Sequence, residues 1–347
     1  MRVLVTGHDG YIGSVLTPML EAAGHEVVGL DAFLYEDGVF GPQRPGIRAV
    51  RKDIRDVVSD DISGCDAVVH LAAISNDPVG DLDPDVTYAV NHRATVHLAE
   101  AAKQAGVTRF AFSSSCSLYG AASNAGALTE EASFNPVTPY GESKVLAEQD
   151  LNDLADHQFS PVYLRNATAY GVSPRLRTDI VVNDLVGHAL TNGTVLIKSD
   201  GTPWRPLVHV EDIARAFVAV LDAPRDAVHN QAFNVGRTSE NYRISDVANL
   251  VVEAIPTSEI IYAQGGGPDT RSYRVDFSKI TSHVPGFQPA WTVADGVREL
   301  ADAYVREDLT TEQFAGSLYT RIGTIKRLHA AGLLSADLRR VDLKASA

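Results

Sequence analysis

Residues 2–13 read RVLVTGHDGYIG, an apolar run followed directly by a turn with glycines at positions 7, 10 and 13. Such a turn between a strand and a helix lets the backbone approach a pyrophosphate and directs the helix N-terminus at its charge. The G-x-x-G-x-x-G spacing is weak by itself, but its position after a strand and before a helix is specific. The sequence therefore predicts a dinucleotide-binding site at the start of the chain.

A carboxylate stands at the end of the second predicted strand, at Asp31. In dinucleotide-binding folds, a carboxylate at this position accepts hydrogen bonds from the adenosine ribose and repels a 2′-phosphate. Asp31 could instead serve only as a loop cap. In this context it predicts NAD(H) rather than NADP(H).

Short β-branched runs alternate with helical patterns through the first half of the chain. The predicted strands are 2–5, 26–30, 67–70, 109–113 and 161–164, and the predicted helices are 13–23, 87–105 and 142–155. The strands lack period-2 alternation, as expected when helices cover both faces of a parallel sheet. The predicted fold class is α/β, a Rossmann doubly wound parallel sheet with a smaller mixed α/β C-terminal substrate lobe.

After about residue 165, glycine and proline punctuate the chain more densely. The elements predicted there are a strand at 206–210 and helices at 211–221, 244–254, 293–305 and 311–331. We expect an NAD-binding Rossmann domain over 1–165, with a returning segment near 205–235. The substrate-binding lobe should comprise 166–204 and 236–335, and the charged C-terminal tail, 336–347, should fray.

Composition disfavours several classes of protein. The 347 residues carry a formal net charge of −14, which argues against binding to nucleic acid or anionic membranes because both need a basic face. The two cysteines, Cys65 and Cys116, match no metal spacing or disulfide framework, and the histidines suggest no metal cluster. We therefore expect no metal site. The sequence has neither a signal peptide nor a long apolar run, so we expect a cytoplasmic protein.

A second informative constellation joins Tyr140 and Lys144 to the serine run at 113–115. Residues four apart on a helix share a face, so both side chains can point into one site. A lysine ammonium and a positive nicotinamide would lower the phenol pKa and let the tyrosine take a proton from a hydroxyl. A Tyr-x-x-x-Lys pair is common on helices without a catalytic role, but the glycine turn and serine run favour catalysis.

Together the motifs resemble those of the extended short-chain dehydrogenase/reductases. Within that group they resemble the NAD-dependent nucleotide-sugar epimerase/dehydratase family, of the UDP-glucose 4-epimerase type. The resemblance runs from residue 6 to about residue 276. It rests on TGxxGxxG at 6–13, DIRD at 53–56, HLAA at 70–73, SSSxxxYG at 113–120, YGESK at 140–144 and RPLVHVxD at 205–212.

The resemblance implies NAD as the cofactor and a set of residues that bind it. These are Gly7, Gly10, Tyr11, Ile12, Gly13, Asp31, Asp53, Ile54, Leu71, Ala72, Ala73, Asn91, Ser113, Tyr140 and Lys144. Asp53 and Ile54 would hold the adenine, and Asn91 would tie a helix to the sheet near the cofactor. Ser115 is implied as the catalytic hydroxyl, because the family's serine or threonine lies four residues before a Tyr-Gly pair, here 119–120.

The same resemblance implies a nucleotide-diphosphate sugar as the substrate. The implied substrate-binding residues are Ser75, Ser115, Thr168, Asn183, Arg205, Asp269 and Arg271. Arg205 and Asn183 would reach the phosphates, and Asp269 the nucleoside ribose. A family arginine just before that aspartate is replaced by glycine here, so Arg271 or Arg274 would take its place.

The reaction type depends on the residues that follow the catalytic hydroxyl. Family dehydratases and decarboxylases carry acidic residues where this chain has Cys116 and Ser117, so both readings are weakened. The sequence favours a nucleotide-sugar epimerase acting through transient C4 oxidation, with Tyr140 as the base and Lys144 and Ser115 assisting.

Two other hypotheses stay open at this stage. The first is an NAD(H)-dependent ketoreductase or dehydrogenase, which needs a similar site. The second is a non-catalytic NAD sensor on the same fold. The family resemblance further implies a homodimer that pairs through the helices at 87–105 and 142–155 as a four-helix interface.

Overall fold

Seven parallel strands form the central sheet of the computed structural model, which describes residues 1–42, 46–120, 126–263 and 272–341. The strands in these ranges are β1 (Arg2–Thr6), β2 (Glu26–Asp31), β3 (Ala49–Arg51), β4 (Ala67–His70), β5 (Arg109–Ser115), β6 (Ala127–Leu128), β7 (Ser160–Asn166), β8 (Thr168–Tyr170), β9 (Thr194–Ile197), β10 (Trp204–His209), β11 (Gln231–Val235), β12 (Asn241–Arg243), β13 (Glu259–Tyr262) and β14 (Arg274–Val275). The sheet order is β11-β7-β5-β4-β1-β2-β3, with every pair parallel. The strand order reverses between β1 and β4, where open α/β sheets bind their ligands.

The helices in the described ranges connect these strands, and some of them cover the two faces of the central sheet. They are α1 (Gly13–Ala22), α2 (Ser59–Ile62), α3 (Asp77–Gly80), α4 (Pro84–Tyr88), α5 (Ala94–Gln104), α6 (Pro139–Leu154), α7 (Val181–Asn192), α8 (Val210–Asp222), α9 (Arg225–Val228), α10 (Ile244–Ala254), α11 (Ser278–His283), α12 (Val293–Arg306), α13 (Thr311–Ala315) and α14 (Arg321–Ala330). A π-helix (Ala89–Arg93) joins α4 to α5, so the predicted helix at 87–105 begins earlier, at Pro84. None of the described helices is long and apolar enough to cross a bilayer.

The central sheet is buried on both faces, as the missing alternation predicts. Val3 and Val5 pack in the apolar cluster that includes Phe217 of α8, whereas Leu4 packs on the opposite face with Leu98 of α5. All five side chains are inaccessible to solvent. This arrangement confirms the predicted Rossmann-type parallel sheet.

The second half of the chain builds a mixed α/β lobe. In the part of the chain that the structure describes, three small sheets lie outside the central one, in the orders β12-β10-β8, β13-β9 and β14-β6. The helices α7, α10 and α12 share one apolar core there. Within the predicted returning segment, β11 joins the central sheet beside β7, but β10 pairs with β8 and β12 instead.

The C-terminal region differs from its prediction in two respects. The single helix predicted at 311–331 is divided, because Gly316 is extended and Tyr319 turns inward to donate a hydrogen bond to the Val39 carbonyl at 3.1 Å. The tail does not fray from residue 336, because Arg339 forms an ion pair with Asp56 at 2.5 Å and Leu338 is buried. Residues 342–347 lie outside the described ranges.

Candidate active site

The glycine turn after β1 is pressed against the end of β4. Gly7 has a φ of +72°, and a Cβ there would lie 2.7 Å from the backbone nitrogen of Ala72. A Cβ on Gly13 would lie 2.3 Å from the carbonyl oxygen of Gly7. Only glycine fits both positions, and α1 therefore begins close to the carboxyl edge of the sheet, where its N-terminus favours an anion.

The end of β2 carries the predicted ribose ligand. The Asp31 carboxylate accepts hydrogen bonds from the backbone N–H of Asp9 at 3.0 Å and of Phe33 at 2.8 Å. Burial raises the pKa of this carboxyl, while the two backbone donors lower it. These bonds hold Asp31 on the wall of the same cleft that the glycine turn borders.

The predicted adenine residues follow β3. Asp53 is buried and forms an ion pair with Arg55 at 2.6 Å. Burial raises the pKa of the Asp53 carboxyl, but the hydrogen bonds and charge of Arg55 outweigh it and hold that pKa below its usual range. Ile54 lies beside it, and both residues line the cleft.

The first two turns of α6 place Tyr140 and Lys144 at the cleft. Thr138 caps the helix by accepting a hydrogen bond from the backbone N–H of Gly141 at 3.2 Å. Tyr140 therefore stands in the first turn, with Lys144 one turn later on the same face. The Lys144 ammonium lies 5.7 Å from the centre of the Tyr140 ring and donates a hydrogen bond to the Ser113 carbonyl at 2.8 Å.

Strand β5 ends at the same point with Ser115. Its hydroxyl accepts a hydrogen bond from the Ser117 backbone N–H at 3.1 Å and acts on the neighbouring Tyr140 phenol by lowering its pKa. The serine, the tyrosine and the lysine, predicted from separate motifs, thus line one cleft.

Burial dominates the electrostatics of Tyr140 and Lys144. Burial raises the pKa of Tyr140 to about 12, although the hydrogen bond with Ser115 lowers it in part. Burial lowers the pKa of Lys144 to about 7, against the opposing charge of Glu148. Within the protein itself, desolvation therefore exceeds the stabilisation of the phenolate, whereas the predicted lowering of the phenol pKa includes the positive charge of a bound nicotinamide and stays a prediction.

A buried ion pair holds α6 against the sheet. The Arg165 guanidinium on β7 forms a bidentate pair with Glu148 of α6, with the shortest contact at 2.7 Å. The Ser114 hydroxyl also donates to Glu148, at 2.5 Å. Strands β5 and β7 and the catalytic helix are therefore joined through one carboxylate.

The cleft is a single cavity of about 1210 Å³, which exceeds the usual volume of a site for one small ligand. The predicted residues Ser75, Thr168 and Arg205 line it, together with Leu71, Ala72 and Ala73. Two buried polar atoms on its wall, Asn166 Oδ1 and Ser117 Oγ, lack a hydrogen-bond partner within the described residues. Such atoms are typical of a site that is completed by a ligand.

Comparison with known proteins agrees with this geometry. Residues 3–236 match the model of the NAD dependent epimerase/dehydratase family. The chain belongs to this family. Its cofactor is NAD, and the glycine turn against Ala72 leaves the close backbone approach that a pyrophosphate needs.

Members of the epimerase/dehydratase family with different reactions resemble the chain to similar degrees. It is 33% identical to the UDP-glucose 4-epimerase of Mycolicibacterium smegmatis, over 88% of this chain and 98% of that protein. It is 30% identical to the dTDP-glucose 4,6-dehydratase of Streptomyces griseus, over 85% and 92% of the two chains. A solved structure of MoeE5 in complex with UDP-glucuronic acid and NAD superposes with a TM-score of 0.77 at 29% identity, covering 88% of this chain and 99% of that one.

Four predicted ligands of the epimerase/dehydratase site need correction or lie outside the described ranges. Asn183 is fully buried, and its amide bonds to both backbone groups of Gly171 and to the Arg177 carbonyl, so it does not reach the phosphates. Asn91 is also fully buried and bonds to both backbone groups of Ile74 at 2.7 and 3.0 Å, so it ties the helix to the loop after β4 without facing the cleft. Asp269 and Arg271 lie outside the described residues.

Sequence reasoning missed three polar residues on the cleft wall. Asn166 and Ser117 carry the unsatisfied oxygen atoms, and Arg321 reaches the cleft from α14. Asn166 is the last residue of β7, and polar residues at the carboxyl ends of parallel strands are the signal that could have identified it. No local pattern marks Arg321, because its position depends on how α14 packs.

Proposed function

We propose that this protein is an NAD-dependent nucleotide-sugar epimerase that inverts its substrate through transient oxidation at C4. The observation that carries the proposal is the convergence of Ser115, Tyr140 and Lys144 at the switch point of the sheet, beside the glycine turn. That set of groups suits removal of a hydroxyl proton next to a hydride acceptor.

In such a cycle, residues of the chain transfer the proton, orient the substrate oxygen and stabilise the phenolate. NAD, when bound, supplies the hydride acceptor and donor. Tyr140 takes the proton from the C4 hydroxyl and later returns it, while the Ser115 hydroxyl, which lines the same cleft, orients the C4 oxygen. The Lys144 ammonium, which lies 5.7 Å from the centre of the Tyr140 ring, stabilises the phenolate with its positive charge.

The residues after Ser115 favour epimerisation over dehydration. Cys116 is buried, and its thiol donates to the Arg165 carbonyl at 3.1 Å, away from the cleft. Burial also raises the pKa of this thiol. Ser117 faces the cleft with a neutral hydroxyl. Neither residue can move the proton that loss of water from the sugar requires, whereas an epimerase needs no acid there.

The substrate is proposed to be a nucleotide-diphosphate sugar. Arg205 lines the end of the cavity formed by the lobe, and a guanidinium suits bidentate contact with a diphosphate. Thr168 and Ser75 line the cavity as well and offer hydroxyls for the sugar. Among solved relatives, MoeE5 has been crystallised with UDP-glucose and NAD, which supports this class of ligand.

The rival proposal is an NAD(H)-dependent ketoreductase or dehydrogenase. It uses the same three catalytic residues. It differs only in that each turnover releases the cofactor in the other oxidation state, as NADH instead of NAD or the reverse. The neutral residues at 116 and 117 are compatible with either reaction. The two reactions are therefore distinguished by whether NADH is formed or consumed in net amount.

A cytoplasmic homodimer is part of the proposal. The faces of α5 and α6 turned away from the sheet would pair about a twofold axis. Two apolar residues next to this unit, Leu82 and Val137, are about half exposed, at 54% and 46%. Light scattering should give twice the mass of the chain, and a monomer at micromolar concentration would remove the dimer from the proposal.

The deciding experiment incubates the purified protein with UDP-, dTDP-, GDP- and CDP-linked sugars. NADH absorbance and product structure by NMR are recorded on the same samples. We expect a stereoisomer to form with no net NADH change. Stoichiometric formation or loss of NADH would refute the epimerase and establish the rival, and a 4-keto-6-deoxy product would establish a dehydratase.

A further inference from the structure

The C-terminal strap, which we define as residues 311–341, forms one wall of the cofactor cleft. It begins on the lobe, where the Phe314 ring packs edge-on against His188 of α7 at 4.9 Å. It ends on the Rossmann side, where Arg339 pairs with Asp56 and the Asp337 carbonyl accepts a hydrogen bond from Arg55 at 2.8 Å. The strap therefore connects the lobe side of the cleft with its Rossmann side.

An apolar cluster holds the strap on the Rossmann domain. Ile325 and Leu328 of α14 pack with Leu334, Leu338, Val79 and Val86 in one buried group. Within the strap, Ile325 and Leu338 also line the cavity itself. The strap is thus packed as firmly as an ordinary core element while it faces the ligand space.

Arg321, at the start of α14, carries a buried cation into this space. The residue is 5% exposed and lines the cavity. Its guanidinium donates a hydrogen bond to the Arg175 carbonyl at 3.4 Å and lies 4.0 Å from the centre of the Tyr35 ring. Across the described residues, no carboxylate lies within ion-pairing distance of it.

A neighbouring arginine shows what is unusual about this one. Arg177 is also buried in the cleft wall, but it pairs with Asp179 at 2.8 Å. The other carboxylate oxygen of Asp179 accepts a hydrogen bond from the backbone N–H of Arg321 at 3.1 Å, and not from the Arg321 guanidinium. A buried cation is costly unless an anion compensates it, so Arg321 is poised for an anion that the chain does not supply.

We propose that Arg321 is a ligand for a diphosphate bound in the cleft, and that the strap, as part of the cleft wall, covers that ligand and retains it. The first turn of α14 adds its partial positive charge at the same point. The residues matched by the family model end at 236, so this contact is contributed by a part of the chain outside that match.

Two diphosphates enter the cleft, that of NAD and that of the proposed nucleotide sugar. The position of Arg321 favours NAD. Its ring partner Tyr35 follows Asp31 on the loop after β2, and the charge of Arg321 acts on Tyr11 of the glycine turn. Arg205, by contrast, lies with the lobe residues Pro203 and Ile244 at the sugar-nucleotide end of the cavity.

The test compares Arg321→Met with Arg327→Met. Arg327 lies on the same helix but is 39% exposed and pairs with Asp37 at 2.9 Å, outside the cleft. Stripped protein is titrated calorimetrically with NAD and, separately, with UDP, and NAD retained by the unstripped protein after dialysis is measured by chromatography. Since a charged hydrogen bond is lost, we expect Arg321→Met to raise the Kd for NAD about 10- to 100-fold and to release NAD on dialysis. Arg327→Met should change neither.

Each outcome has a distinct meaning. Melting of the ligand-free Arg321→Met protein should be unchanged or shifted upwards, because an uncompensated buried charge has been removed. A lower melting temperature with unchanged NAD and UDP affinities would assign a structural role and overturn the proposal. Weaker UDP binding alone would keep the diphosphate ligand but assign it to the sugar nucleotide. If Arg321→Met does not fold, Arg321→Lys decides by the same titrations, because it keeps the charge and loses the planar fork.

These measurements do not depend on turnover. They therefore fail or succeed independently of the proposed epimerase reaction.

Discussion

The Lys144 ammonium lies 2.8 Å from the carbonyl oxygen of Ser113, two residues before Ser115 on the same strand. This hydrogen bond joins the catalytic helix to the strand that carries the catalytic hydroxyl. A lysine ammonium has three donors, so one bond to the sheet leaves others to face the cleft. The helix that carries Tyr140 and Lys144 is consequently tied to the strand that carries Ser115.

The first prediction concerns Tyr140. Tyr140→Phe removes the proton acceptor but keeps the ring, so kcat should fall about 10²- to 10⁴-fold while the melting temperature stays close to that of the parent. Tyr88→Phe is the matched control, because Tyr88 bonds to Glu142 at 2.7 Å on the exposed side of the helices. Near-normal turnover by Tyr140→Phe would contradict the mechanism.

The second prediction concerns the choice between NAD and NADP. Asp31→Ser removes the negative charge beside the ribose site, so the ratio of the Kd for NADP to the Kd for NAD should fall about tenfold or more. Fluorescence titration of stripped protein with both dinucleotides measures this ratio. Asp37→Asn, an exposed carboxylate on the following loop, should leave it unchanged. An unaltered ratio in Asp31→Ser would show that Asp31 only caps the loop after β2 and does not select the cofactor.

The third prediction concerns the buried pair of Glu148 and Arg165. Both side chains are 6% exposed, so Glu148→Gln leaves a buried guanidinium with too little compensation and should cost about 3–5 kcal/mol of unfolding free energy. Asp150→Asn breaks the exposed pair with His92 and should cost about 0–1 kcal/mol. Urea unfolding at pH 7 measures both. Equal losses in the two variants would mean that the buried pair does not anchor α6.

The fourth prediction concerns acid stability through His70. The imidazole lies between the hydroxyls of Thr6 at 2.7 Å and Thr95 at 2.8 Å, and burial lowers its pKa to about 3. Below its unfolded pKa of about 6.5, the unfolded chain binds a proton that the native protein refuses, so stability falls as pH falls. The loss from this one group should approach about 1.4 kcal/mol per pH unit between pH 6 and pH 4.

The measurement is urea unfolding between pH 7 and pH 4. His70→Asn should have a shallower pH dependence than the parent, although it is less stable at pH 7. His157→Gln, an exposed histidine, should keep the parent slope. A parent-like slope in His70→Asn would assign the acid sensitivity to other groups.

Much of the fold was predictable because its signals are local. The glycine turn lies between β1 and α1, and the five strands predicted in the first half all occur in the central sheet with small shifts at their ends. Tyr140 and Lys144 were placed on one helical face by their spacing alone. Short strands such as β3 and β8 were missed, because three residues carry too little pattern to stand out.

The site was predictable where a motif directly contacts the cleft and not where a side chain is diverted into the protein. Asn183 could have served the phosphates, but Gly171 and Arg177 engage both its amide nitrogen and its amide oxygen inside the protein. Tyr140 and Lys144 were identified correctly as cleft residues, yet the sign of the phenol pKa shift depends on burial, which spacing does not encode.

By itself the sequence determined the dinucleotide turn, the parallel sheet and the family, because each follows from residues that are close together in the chain. Only the tertiary structure decided which polar groups remain unsatisfied on the cleft wall. Asn166, with its unsatisfied Oδ1, and Arg321, which is buried without a carboxylate at ion-pairing distance among the described residues, lie on elements far apart in sequence. Each owes its environment to the packing of other segments around it. Desolvation and hydrogen-bond saturation are properties of that packing, so they are fixed only when the chain has folded.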